Sequence, residues 1–263
     1  MQRLISWNVA SVRARLPVLT KLLEKYQPDF LLLQEIKATE ETFPFLDFHL
    51  MGYNGYINGE KGFNGVALLS KKNLKNPVFN LPLEQSENSA RFIQAETENS
   101  TVIISVYVPN GTPPEKNPED NSKLVYKLEW LKALNQHLIT LQKTNKNIIL
   151  AGDFNVIEKE EDVYNPAHFQ GGALMNKPVQ QLFADLLNIP LKETVRQFNP
   201  EPNTYSFWDF QRAAWNRNNG IFLDKILISP TLSVTDCQIL KEVRGWEKTS
   251  DHAPILFETE EIL

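Results

Sequence analysis

Apolar runs that stop on a carboxylate or an amide recur along this chain, and they limit its fold more than any other feature. Leu31-Leu32-Leu33 leads into Gln34-Glu35, and Ile148-Ile149-Leu150-Ala151-Gly152 leads into Asp153 and Asn155. Asn8 follows Ser6-Trp7, Asp224 precedes Lys225-Ile226-Leu227-Ile228, and Asp251-His252 precedes Ala253-Pro254-Ile255. Short apolar runs of this kind suit buried strands. A charge beside a core strand is costly unless it is paired or metal-bound. A cluster of such charges at strand ends is where a site for a hard cation would be built.

Strand-like segments at residues 4–9, 30–33, 66–69, 102–108, 148–151, 226–228 and 255–257 are interspersed with helical periods at 16–26, 124–141 and 182–187. Two long connections, 110–122 with Pro113, Pro114 and Pro118, and 158–176, read as functional or irregular loops. Strands and helices mix without strict βαβ alternation, which predicts an α/β sandwich of two sheets covered by helices. The 263 residues fit one catalytic domain over 1–263, with 42% hydrophobic residues to fill its core. No apolar run approaches a membrane span, the N-terminus carries no signal-peptide pattern, and Cys237 is the single cysteine. These features point to the cytoplasm, without a disulfide framework or a cysteine-based zinc site. The net charge of −5 argues against a broad, purely electrostatic nucleic-acid binder. Part of that charge belongs to the strand-end acids, where a dication would offset it.

Magnesium takes oxygen ligands, often one or two protein carboxylates with water and phosphate completing the shell. Glu35 and Asn8 suit that role. His252 can donate a proton or contact a phosphate, oriented by a carboxylate such as Asp224. Taken singly, each residue has a plainer explanation. A strand-end aspartate is commonly a turn former or cap, Asn155 a left-handed turn residue, His252 a satisfied buried histidine, and Tyr107 core. Their number and order carry the signal.

Six segments together resemble the exonuclease III family of apurinic/apyrimidinic endonucleases, within the DNase I-like superfamily. They are Ser6-Trp7-Asn8-Val9, Leu33-Gln34-Glu35-Ile36-Lys37, Gly62-Phe63-Asn64-Gly65-Val66-Ala67, Tyr107-Val108-Pro109-Asn110-Gly111, Gly152-Asp153-Phe154-Asn155-Val156 and Ser250-Asp251-His252-Ala253-Pro254. The resemblance spans nearly the whole chain. It implies a four-layer sandwich of two mixed β-sheets flanked by helices, with the site at one edge of the paired sheets. Glu35 would be the principal metal ligand, for Mg2+ or Mn2+, with Asn8 and Asp251 in or near its shell. Asp153, helped by Asn155, would position or activate the attacking water. Tyr107 would contact the scissile phosphate, and His252, paired with Asp224, would hydrogen-bond a phosphate oxygen. Asn110 would bind substrate. Phe207, Ile221 and Leu223 would wall a small apolar pocket for an extruded sugar, and Trp208 would also contact substrate. Arg13, Lys37 and Lys61 are candidate phosphate contacts, with solvated surface charge as the alternative.

Two segments depart from that family. Phe222 stands where members usually carry an arginine, and Gly171-Gly172-Ala173-Leu174-Met175 where many have Gly-Phe-Thr. The function implied is incision of double-stranded DNA 5′ to abasic sites by a monomer, with 3′-5′ exonuclease or 3′-end-cleaning activity on blocked ends. The alternatives are a DNase I-like phosphodiesterase acting on RNA ends or small phosphorylated molecules, and a catalytically silent DNA-binding homologue. The Phe-Trp and amide-rich stretch 204–224 favours DNA repair over the first. Intact Glu35, Asp153, Asn155, Asp224 and His252 argue against the second.

Overall fold

A five-residue apolar run can bury every side chain only if both faces of its sheet are covered. The computed structural model describes residues 1–82, 89–113 and 115–260, so Pro114 lies outside the described residues. The first elements are β1 (Gln2–Asn8), α1 (Val12–Tyr26), β2 (Phe30–Gln34), α2 (Phe45–Leu50), β3 (Asn54–Asn58) and β4 (Val66–Ser70). There follow β5 (Lys75–Val78), β6 (Phe92–Glu96), β7 (Val102–Tyr107), α3 (Ser122–Gln142), β8 (Ile148–Asp153), α4 (Lys177–Asn188) and β9 (Lys192–Glu193). The rest are α5 (Thr194–Phe198), β10 (Asp224–Ile228), β11 (Val234–Ile239), α6 (Lys241–Arg244) and β12 (Ile255–Thr259). The strands form two six-stranded sheets, ordered β11-β12-β1-β2-β4-β3 and β5-β6-β7-β8-β10-β9. Both are mixed: β1 pairs parallel to β2 and antiparallel to β12, while β8 pairs parallel to β7 and antiparallel to β10.

Three apolar layers separate four structural ones. Ile5, Trp7, Leu31 and Leu33 pack under Leu19, Leu22 and Leu23 of α1. Ile104, Val106, Ile148 and Leu150 pack under Trp130, Leu134 and Leu138 of α3 and Phe183 of α4. Leu4, Phe30, Leu32, Ile103, Ile149, Ala151 and Ile226 meet between the sheets. This is the expected four-layer sandwich. Among the described residues, no helix is long and apolar enough to cross a membrane.

The period of two along a strand then places the chemistry. If Leu4, Phe30, Ile103, Ile149 and Ile226 face the opposite sheet, so do Ser6 and Asn8, Leu32 and Gln34, Ser105 and Tyr107, Ala151 and Asp153, and Asp224. The inter-sheet layer is thus apolar along most of its length and polar at one end. Gln34 marks the change: its Nε2 donates across the gap to Ser105 Oγ at 3.0 Å and to Ser6 Oγ at 3.3 Å. Gly152 lets β8 run this close to β7, because a Cβ there would lie 1.9 Å from Val106 O.

Candidate active site

Three hydrogen bonds close the polar end, and each runs from one sheet to the other. Asn8 Nδ2 donates to Asp153 Oδ2 at 3.0 Å. His252 Nδ1 lies 2.7 Å from Asp224 Oδ2. Tyr107 donates its hydroxyl to Glu35 Oε2 at 3.3 Å. The segments leading to β12 are fastened first: Trp7 Nε1 donates to His252 O, and Ser250 Oγ to Asn8 O. Asp251 is held through its carbonyl, which accepts from Trp208 N and Arg244 Nε.

Asp153 is the most constrained carboxylate. It is 1% exposed. Its Oδ1 accepts from Asn155 N at 2.9 Å, and its Oδ2 lies 3.7 Å from His252 Nε2. Burial raises its pKa to about 7 and Asp224 adds to the rise; His252, Asn8 and the Asn155 amide oppose it. Burial alone would lower the His252 pKa, but the charges of Asp224 and Asp153 outweigh it and hold it at about 10. Burial and the Glu35 charge push the Tyr107 phenol well above its ordinary range, so it remains a donor. The two carboxylates thus favour the charged imidazolium between them, while burial raises the Asp153 carboxyl above its ordinary range.

Glu35 and Lys37 sit at φ 53° and 51°, conformations disfavoured for residues with a Cβ. Backbone bonds from Ser11 N to Glu35 O and from Lys37 N to Asn64 O hold this turn. It aims the Glu35 carboxylate at the cleft, where Oε1 meets Lys37 Nζ at 2.7 Å.

A cleft of about 780 Å³ opens over these groups, lined by Asn8, Glu35, Tyr107, Asn110, Asp153, Asn155, Asp251 and His252. Phe207, Ile221 and Leu223 form part of its wall, and the Phe207 ring lies 4.8 Å from the His252 ring. Ile221 and Leu223 do not share a regular strand; Ile221 makes isolated bridges to Val163 and Phe207. Trp208 corrects the expectation of a substrate contact. It is 0% exposed and packs with Tyr205, Ala214 and Ala253, because alternation turns it inward when Phe207 faces out. Arg13 and Lys61 are exposed and lie outside the cleft lining, while Lys37 is paired with Glu35. The cleft also holds Tyr164, His168, Arg212 and Arg217, which sequence reasoning missed. Tyr164 and His168 belong to the long 158–176 connection and Arg212 and Arg217 to the stretch 204–224; neither segment has periodicity, and the cues were the length of the first and the polar composition of the second.

The departure at Phe222 has a local explanation. Arg196 of α5 lays its guanidinium 4.6 Å from the Phe222 ring centroid while pairing with buried Asp162, and Lys225 Nζ approaches the ring at 3.8 Å. A guanidinium is thus present in this region, supplied from another element.

Among the described residues, no three His, Cys, Asp or Glu side chains converge as a ready-made metal cage. The donor set still fits a hard divalent cation. Glu35 points its oxygens into the cleft and already attracts a cation, and Asp251 and the Asn8 amide oxygen are hard donors of the right type.

Fold and site together define a hydrolase that works on phosphodiesters in a cleft between two sheets. Residues 5–252 match the Endonuclease/Exonuclease/phosphatase family, and the chain belongs to that metal-dependent family, as a nuclease of its exonuclease III-type group. Exodeoxyribonuclease III of Haemophilus influenzae is 30% identical, over 96% of this chain and 98% of that protein. The 3′-5′ exonuclease NExo of Neisseria meningitidis superposes with a TM-score of 0.92 at 31% identity, covering 99% of this chain and 100% of NExo. An AP endonuclease from Archaeoglobus fulgidus does so at 0.92 and 30%, with 99% and 100% covered.

Proposed function

We propose that the protein is a magnesium-dependent DNA-repair nuclease of the cytoplasm that hydrolyses double-stranded DNA 5′ to abasic sites and also clears blocked 3′ ends. The observation that carries this is the inter-sheet set of Asp153, His252 and Asp224 beneath an apolar wall of Phe207, Ile221 and Leu223. The names of the relatives agree: an exodeoxyribonuclease III, a 3′-5′ exonuclease and an AP endonuclease.

Asp153 accepts the proton of the attacking water, its oxygens fixed by Asn8 and the Asn155 amide. His252 donates from Nε2 to a non-bridging phosphate oxygen, and Asp224 keeps the ring charged and oriented. Tyr107, whose single hydroxyl hydrogen rests on Glu35 in the free protein, turns it to the same phosphate when substrate binds. Asn110 and Asn155 brace the far rim. Glu35, Asn8 and Asp251 would hold the magnesium, which would supply stabilisation of the negative charge that develops during phosphodiester cleavage. The apolar wall accepts a sugar without a base and sterically opposes an intact nucleotide, the base-free sugar also being the cheapest to extrude.

The test is a duplex with one abasic analogue, an undamaged duplex and a nicked duplex ending in a 3′ phosphate, each with magnesium and with excess EDTA. Abasic and 3′-blocked substrates should be cut in magnesium and all cutting lost in EDTA. Asp153→Asn should lower kcat by at least about 100-fold. Full activity in EDTA, or no preference for damaged DNA, would reject this function.

A further inference from the structure

Lys127 is charged in kind but wholly buried, at 0% exposure, in the second turn of α3. Its ammonium meets three backbone carbonyls: Asn110 O at 3.1 Å, Asn155 O at 2.5 Å and Ala173 O at 3.1 Å. Burial pulls the Lys127 pKa down to about 7, against the opposing charge of Asp153; in its charged form the group has three hydrogens and no acceptor, and the three carbonyls use all of them. The three carbonyls belong to three different segments of chain. One follows β7, one follows β8, and the third lies in the connection before α4. All three border the cleft, through Asn110, Asn155 and Leu174. Gly111 makes room for the stem: a Cβ there would come 2.8 Å from Lys127 Cδ.

What these segments carry makes the knot more than packing. Asn155 sits at φ 49°, which places its amide on Asp153 Oδ1, and its side chain donates to Val108 O and accepts from Asn110. Residue Asn155 is therefore gripped at its carbonyl by Lys127 and grips Asp153 through its own N–H, in the adjoining peptide unit. We propose that Lys127 is a positioning residue: by tying three cleft loops to α3 it fixes the backbone of Asn155 at its carbonyl, and through the Asn155 N–H it keeps Asp153 in the geometry for attack on the phosphate. This rests on the reading of Asp153 as the group that accepts the proton of water.

K127M keeps the length of the stem and removes every donor; K127Q keeps two N–H hydrogens on a shorter arm. Both are assayed on whichever duplex the wild type cuts in magnesium, well below their melting temperatures, with amide exchange followed in the three loops. A wild type that cuts none of the duplexes fails the nuclease reading itself, apart from anything said of Lys127. Otherwise K127M should lose about 10- to 100-fold in kcat, the scale of a misplacement near 1 Å, while KM changes less than about threefold. Exchange should quicken in all three loops together and stay unchanged in the centres of β7 and β8. A folded K127M with kcat within about twofold of wild type would overturn the proposal, however much stability it had lost. If K127M does not fold, K127Q is judged by the same limits. If neither folds, Lys127 serves the fold alone and the proposal is rejected.

Discussion

At the scale of single residues, the strand-end acids and amides were legible because charge next to an apolar run needs a reason. Asn8, Glu35, Asp153 and His252 come together in the cleft, with Asp224 buried behind the His252 ring. Trp208 was misread because adjacency to Phe207 says nothing about which of two neighbours points inward. Arg212 and Arg217 were missed because a loop arginine looks the same in sequence whether or not it faces a cleft. The His252 pair sets a pH dependence that can be measured. Its pKa, held at about 10 against an ordinary 6.5, gives stability fully present below about pH 6.5 and lost as the pH rises through about 10. In urea denaturation with EDTA present, the stability gap between wild type and His252→Gln should be widest in mild acid and close towards pH 10. A gap that grows with pH would mean that the ring is not held as a cation.

At the scale of elements, the strands that were recognised are mostly central ones, and the strands at the edges of both sheets were not. β3, β5, β9 and β11 are the edges, and their sequences mix in Asn, Gly, Lys, Pro and Asp. Those residues are poor strand formers, and an edge strand is covered too little to need a continuous apolar pattern. Pro77 in β5 is tolerated for the same reason. β6 was missed although central, because Gln94 and Glu96 interrupt its run. Helix α1 begins at Val12, four residues before the expected start, so Pro17 lies inside the helix and is exposed. A proline there removes one backbone donor and crowds the preceding turn. Pro17→Ala should therefore raise stability by roughly 1–3 kcal/mol, part of the gain being lost to a freer unfolded chain. Equilibrium unfolding in urea measures it, and a destabilised variant would show that the turn at Val12 depends on the proline ring.

At the scale of the whole molecule, net charge and fold pull towards a narrow contact with nucleic acid. The chain carries −5 overall, yet Arg212 and Arg217 lie at the rim of an otherwise acidic cleft. Each phosphate neutralised contributes about −0.9 to the slope of log K against log salt. Binding to an abasic duplex should show a slope of a handful of such contacts, and Arg212→Gln with Arg217→Gln should make it shallower by about 2. An unchanged slope would move the phosphate contacts elsewhere. The sandwich itself was legible from the alternation of apolar runs, whereas the order of strands across each sheet was not, since pairing partners are set by packing far along the chain.

The order of synthesis gives the cross-sheet hydrogen bonds a further meaning. Trp7 and the His252 carbonyl it holds are 245 residues apart in sequence. Asn8 and Glu35 are made first, the partner sheet with Tyr107, Asp153 and Asp224 next, and Asp251 and His252 only after both. A nascent chain on the ribosome therefore passes through most of its length with neither the imidazolium nor the strand β12 that anchors it beside β1. The polar end of the inter-sheet layer is therefore the last part of the molecule that synthesis can complete.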